Sequence, residues 1–133
     1  MDASVAVKCL VAEDDSDAAL AVSLSGAIIV APELIYVELA SVLAKKTWRG
    51  EITAGDGATL MSRAAHLFDE TVDDRALAAR AFDLAAEHRM SAYDSLYLAL
   101  AERRRARVIT ADRKLVERAR AAGLGKMVSL LSD

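Results

Sequence analysis

Short apolar runs alternate with longer Ala-rich segments along this 133-residue chain, and this alternation constrains the fold more than any other feature. The runs at 27–31, 107–111 and 126–131 are too short for helices and resemble strands that are buried on both faces. A weaker run at 68–72 predicts an edge strand. One proline and six glycines are too few turn formers for a many-stranded sandwich. The sequence therefore favours a few short strands separated by helices.

The intervening segments predict helices because alanine occupies 28 positions and helix breakers are sparse. The predicted helices span 3–11, 14–25, 32–48, 53–67, 74–88, 91–105 and 113–122. Pro32 is placed in the first turn of the third helix, and Thr53 and Ser91 are predicted N-caps. Strands joined through helices pair in parallel by right-handed crossovers. The expected class is α/β, a single domain over 1–133 with helices on both faces of a short sheet.

Charge and cysteine content exclude several classes of protein. Lys and Arg total 17 against 20 for Asp and Glu, so a net charge of −3 disfavours a protein that coats nucleic acid by bulk charge. A local basic patch is still compatible with this balance. Cys9 is the single cysteine, so no intramolecular disulfide can form. There is no run of membrane-spanning length and no signal-type start, and a soluble cytoplasmic protein is expected.

Four carboxylates occupy positions that suggest chemistry. Glu38 and Asp94 lie among apolar neighbours on predicted helices, Asp112 follows the strand at 107–111, and Asp2 opens the chain. Each has an ordinary structural explanation: Asp2 and Asp112 as N-caps, Asp94 as a first-turn acid, and Glu38 at a helix edge. Because the carboxyl ends of parallel strands form ligand sites, the four together suggest a hard divalent cation such as Mg²⁺.

Other catalytic chemistries lack their residues. His66 and His88 are the only histidines, and neither has zinc-site spacing. The chain contains no nucleophile elbow, P-loop or dinucleotide-binding glycine motif. A phosphatase or receiver-like acidic pocket is disfavoured as well, because no Asp-x-Asp stands at a strand end.

Four segments, in this order, carry a family resemblance: DASV at 2–5, PELIYVELASVL at 32–43, AYDSLYLALA at 92–101 and ITADRKL at 109–115. Together they resemble PIN-domain ribonucleases of the VapC toxin type over essentially the whole chain. The resemblance implies a three-layer α/β/α fold with a short, mostly parallel sheet. It also implies cleavage of RNA by water that Mg²⁺ or Mn²⁺ activates for in-line attack on the phosphate.

The resemblance assigns roles to the four acids. By position, Asp2 and Asp94 correspond to direct metal ligands, and Glu38 and Asp112 complete the site or orient water. Crowding of these carboxylates is expected to raise some of their pKa values without metal. Metal binding and activity should then weaken as pH falls.

The resemblance suggests supporting residues, and the position of a basic run suggests residues that contact RNA. Ser4 and Thr110 match small polar positions that support the carboxylates, although helix capping and strand-end hydrogen bonding explain them equally well. Arg113 and Lys114 adjoin Asp112 and could contact an RNA phosphate. The other basic runs, at 45–49 and 103–107, are equally typical of solvated helix ends.

The resemblance further implies partners. VapC-type toxins pair with a VapB-like antitoxin that covers the acidic site, and an antitoxin Arg commonly enters it. The predicted helices 14–25 and 32–48 offer apolar faces for this contact, and a homodimer is expected. Trp48 and Tyr36 could stack on bases, although a lone Trp on an apolar helix is more often core or interface.

The chain departs from the family pattern at its first residue. Similar proteins carry a short apolar strand before the first acid, whereas only Met1 precedes Asp2 here. This predicts open edges on neighbouring strands and a loosely held Asp2 beside a terminal amine, unless the natural start lies upstream. The alternative function is therefore a catalytically inactive PIN-like module that binds RNA or a protein partner.

Overall fold

The computed structural model describes residues 1–133 as seven α-helices and four short strands. The helices are α1 (Ala3–Leu10), α2 (Ser16–Ser23), α3 (Leu34–Trp48), α4 (Ala54–Ala64), α5 (Arg75–His88), α6 (Ala92–Arg104) and α7 (Arg113–Ala121). The strands are β1 (Val30–Pro32), β2 (Glu70–Val72), β3 (Val108–Thr110) and β4 (Val128–Leu130). None of the helices combines the length and apolar character needed to cross a bilayer.

The strands form two parallel pairs. β1 pairs with β2 from Val30 opposite Glu70 to Pro32 opposite Val72, and β3 pairs with β4 in the same parallel sense. The weak run at 68–72 is therefore a true strand, and the three-layer α/β/α class with a short parallel sheet is confirmed. Predicted caps are confirmed too, because the side chains of Thr53 and Ser91 accept bonds from the N–H groups of Asp56 and Asp94.

Pro32 corrects one prediction. It is the last residue of β1, and α3 begins two residues later at Leu34 with Glu33 as its N-cap. A proline has no N–H for the sheet, and the bond to β2 is made instead by the N–H of Glu33, which donates to Val72 O at 2.9 Å. Pro32 thus ends a strand where we expected it to begin a helix.

The first two residues connect the two strand pairs. The Met1 amine donates to Val30 O at 3.2 Å, and the Asp2 N–H donates to Ile109 O at 3.1 Å. β1 and β3 each pair with one strand only, and both border an apolar cavity of about 580 Å³. The chain start therefore lies between β1 and β3, and this places Asp2 in the interior.

The core lies between these strands and the helices. The fully buried side chains include Val5 of α1, Ile35 and Leu39 of α3, and Leu98 of α6. Ile35 and Leu39 recur at helical spacing, so one apolar face of α3 is turned inward, whereas α6 is buried all round over residues 97–101. α1, α3 and α6 consequently hold their polar residues in fixed positions at the edge of the core.

Candidate active site

Asp2 is buried and firmly held. Its side chain is 7% exposed, and its Oδ1 accepts bonds from Ser4 Oγ at 2.7 Å and from the Val5 N–H at 3.2 Å. The second bond makes Asp2 the N-cap of α1, so its ordinary structural role is real. The expectation of a loosely held Asp2 is wrong, because these bonds and the backbone bond to Ile109 fix the residue. Both side-chain bonds fall on Oδ1.

A hydroxyl pair connects Asp2 to the end of β3. Ser4 Oγ lies 3.3 Å from Thr110 Oγ1 and also accepts from the Ala111 N–H at 2.8 Å. Thr110 is fully buried, and its Oγ1 accepts from the Asp112 N–H at 3.0 Å. Ser4 and Thr110 therefore connect the Asp2 carboxylate to the Asp112 backbone through hydrogen bonds.

Glu38 lies on α3 and meets α6 through one hydrogen bond. Tyr97 Oη donates to Glu38 Oε1 at 2.5 Å, and the Tyr97 ring is almost fully buried. Glu38 is half-buried, which agrees with its predicted position beside the apolar stripe of α3. The hydroxyl fixes the carboxylate without neutralising its charge.

Asp94 lies in the first turn of α6 and pairs with a cation that the sequence did not suggest. Arg118 Nη2 of α7 donates to Asp94 Oδ2 at 2.9 Å. The Asp94 N–H donates to the capping Ser91 Oγ, so both the helix start and the ion pair orient this residue. About half of the Arg118 side chain is exposed, and the pair lies open to solvent rather than in the core.

Three of the four predicted acids influence one another electrostatically. Burial raises the pKa of Glu38, and the nearby charges of Asp2, Asp94 and Asp74 raise it further against the opposing Tyr97 bond. Burial also raises the pKa of Asp2, against the hydrogen bonds from Ser4 and the Val5 N–H. A divalent cation is favourable beside a carboxylate whose ionisation is opposed by burial and by neighbouring negative charges, as it is for Glu38.

Asp112 has a different position. Its Oδ1 accepts from the Lys114 N–H at 2.8 Å, so the carboxylate caps α7 at the carboxyl end of β3. Asp112 is therefore an N-cap, which is its ordinary structural role. A series of hydrogen bonds from Asp2 through Ser4 to Thr110 connects the Asp112 backbone to Asp2. Asp112 is thus connected to the other predicted acids through hydrogen bonds. Asp2 and Asp94 are related to Glu38 through the effect of their charges on the Glu38 pKa.

The donor set suits a hard cation without forming a closed cage. No three acidic, His or Cys side chains converge closely enough to enclose an ion. Mg²⁺ keeps several water ligands and is typically held by one or two carboxylates plus substrate phosphate, so a closed cage is not required. The carboxylate oxygens of Asp2, Glu38 and Asp94 are the ligand type that Mg²⁺ and Mn²⁺ prefer.

The basic residues differ in whether acids pair with them. Arg113 and Lys114 are exposed at the start of α7 and take part in no ion pair, so both are free to contact an anion. Lys46 is held by Glu13 at 2.8 Å and by Glu51 at 3.0 Å. Arg104 pairs with Glu70. The runs at 45–49 and 103–107 are thus partly neutralised, which fits their reading as helix ends.

Sequence reasoning missed three contributors to this site. Tyr97, Arg118 and Asp74 hold or perturb the predicted acids. Tyr97 follows Asp94 by one helical turn, and that spacing was a usable signal. Arg118 reaches Asp94 across 24 residues and Tyr97 reaches Glu38 across 59, so only the packing of α3, α6 and α7 reveals these pairs.

Comparison with known proteins agrees with this geometry. A family model described as the PIN domain matches residues 1–121. A comparison with curated proteins finds no match. PIN domains are generally nucleases and typically bind divalent metals.

Proposed function

This chain belongs to the PIN-domain family, and from that premise we propose that it is a Mg²⁺- or Mn²⁺-dependent endoribonuclease of the VapC toxin type. One observation carries the proposal. Burial raises the pKa of Glu38, and the charges of Asp2 and Asp94 raise it further, so acids from the start of α1, from α3 and from α6 lie near one another. A buried carboxylate whose pKa is raised by burial and by specific neighbouring charges is more typical of a functional site than of a structural one.

Each residue of the site has a proposed role. Asp2 and Asp94 would hold the cation directly, with Glu38 and Asp112 completing the site or orienting water. A bound divalent ion supplies charge neutralisation for the phosphate and a lowered pKa for water. Ser4 and Thr110 keep Asp2 in place, and Tyr97 keeps Glu38 in place. No covalent intermediate with the protein is needed.

Exposed apolar side chains on α2 and α3 support an antitoxin partner. Leu24 after α2 is 82% exposed, and Val37 and Trp48 of α3 are 68% and 79% exposed. Trp48 is therefore not a core residue, and its exposed ring supports the proposal of an interface on this helix. We propose that a VapB-like antitoxin covers these helices and inserts an Arg at the acids. The Arg118–Asp94 pair is an example of a guanidinium bound at this position. A homodimer belongs to the same proposal.

The test is cleavage of mixed cellular RNA by the purified chain across a Mg²⁺ and Mn²⁺ series. Asp94→Asn should abolish cleavage and keep the fold, because it removes charge from the site without changing volume. Asp17→Asn, an equivalent change on exposed α2, is the matched control and should cleave normally. Cleavage by Asp94→Asn at the wild-type rate, or cleavage without metal, would refute the site.

The alternative is an inactive PIN-like module. It predicts binding of RNA or of a protein partner that is indifferent to Mg²⁺, with no cleavage at any metal concentration. The same titration separates the two, because RNA binding can be followed by fluorescence anisotropy in every sample.

A further inference from the structure

A second, polar cavity of about 360 Å³ lies between the end of α5 and α7. Its polar lining is Glu87, His88, Arg89 and Arg118, and three apolar side chains complete the wall. Two arginines and a histidine thus face one acid, and that acid lies 3.7 Å from His88 Nε2. This composition suits an anion.

Arg118 joins this cavity to the candidate active site. Arg118 is one of the residues that line the cavity, and its Nη2 donates to Asp94 Oδ2. A guanidinium carries five N–H donors, so one bond to Asp94 leaves others for a second anion. Arg89, at the turn between α5 and α6, is exposed and forms no ion pair, so its charge is not neutralised by the protein.

We propose that this cavity binds a backbone phosphate of the RNA next to the scissile one, with Arg89 and Arg118 as its ligands. The inference rests on the proposed function and specifies where its substrate lies. A single strand carries a phosphate at every nucleotide, so a strand that presents one phosphate to Asp94 brings a neighbouring phosphate alongside. Arginine recognises phosphate through paired N–H donors, which the bare charge of Lys cannot match.

The site is distinct from Arg113 and Lys114. Those residues stand at the first turn of α7, whereas Arg118 lies more than one turn further along and faces the α5–α6 turn. An ordinary surface ion pair between Arg118 and Asp94 would contribute little to stability and would give RNA no second contact. The experiment therefore has to separate phosphate binding from orientation of Asp94.

Binding of a fluorescein-labelled single-stranded RNA is measured by anisotropy over a KCl series, in a Glu38→Gln background that suppresses cleavage. Arg89→Ala and Arg118→Ala should each weaken binding several-fold. Each should also lower the slope of log K against log salt by about 0.7, the value for one lost phosphate contact on a single strand. Arg63→Ala removes an exposed charge on α4 and should leave the slope unchanged.

The possible results lead to different conclusions. A reduced slope for Arg118→Ala alone would mean that Arg118 acts through Asp94, and it would overturn the phosphate site. Equal reductions for all three variants would show bulk charge attraction and overturn it as well. If the parent does not bind RNA, the proposed function itself fails. If it binds and Arg89→Ala is silent, only the phosphate site fails.

Discussion

The hydrogen bond between Tyr97 and Glu38 allows a quantitative prediction for Tyr97→Phe. The hydroxyl donates to an ionisable carboxylate at 2.5 Å, so it favours the charged form of Glu38 and opposes the burial and the neighbouring charges that raise the Glu38 pKa. Removing the hydroxyl leaves the ring in place and takes away only this donor. The pKa of Glu38 must then rise further above its ordinary value of 4.5.

The size of the rise follows from the exposure of the carboxylate. A hydrogen bond to a charged group contributes about 1.5–3 kcal/mol. Glu38 is only half-buried, so water replaces part of the lost bond and the lower end applies. About 1.5 kcal/mol corresponds to roughly a tenfold change in an equilibrium constant. Because a metal ligand must be ionised, Mn²⁺ affinity should fall up to about tenfold in mildly acid buffer and recover toward wild type at higher pH.

The assay is an NMR titration of side-chain carboxyl carbons in the metal-free protein, followed by calorimetry with Mn²⁺. Tyr36→Phe is the control, because Tyr36 lies on the same helix and packs its ring edge-on against Phe68 instead of bonding Glu38. An unchanged or lowered Glu38 pKa in Tyr97→Phe would show that the hydroxyl does not stabilise the carboxylate. The reasoning from the short contact would then be wrong.

Three further predictions concern stability. In metal-free buffer, the free energy of unfolding of the wild type should increase as pH falls from the raised folded-state pKa of Glu38 toward its unfolded value of 4.5. In this pH range the folded chain binds more protons than the unfolded chain, so protonation favours the folded state. Glu38→Gln should flatten this dependence in urea unfolding, and an unaltered pH dependence would contradict the burial argument. Thr110→Val should cost about 1–3 kcal/mol by leaving the Asp112 N–H without its acceptor, while Thr110→Ser should retain most of the stability. Leu98→Ala should lower the free energy of unfolding by about 2–5 kcal/mol through a core cavity.

Local patterns in the sequence were sufficient for most of the secondary structure. Helix caps at Thr53 and Ser91 depend on residues close together in the chain, and so do the strands β1 and β3. The prediction of a strand buried on both faces over 27–31 is wrong in its first half, because β1 begins only at Val30 and Ile28 is 78% exposed. The parallel order follows from helices that separate the strands. Pro32 was misplaced because a proline fits both a helix start and the end of a strand. Only the pairing with Val72, forty residues away, decided between them.

The sequence by itself also determined which acids to consider, because Asp2, Glu38, Asp94 and Asp112 stand at helix starts, strand ends or apolar stripes. It could not determine what touches each of them. Tyr97 meets Glu38, Arg118 meets Asp94, and Ser4 meets Thr110 only when α1, α3, α6, α7 and β3 are packed together. The effect of the Asp2 and Asp94 charges on the Glu38 pKa also arises only from this packing. Charge interactions depend on distance and burial, and a linear sequence encodes neither until the core brings distant segments together.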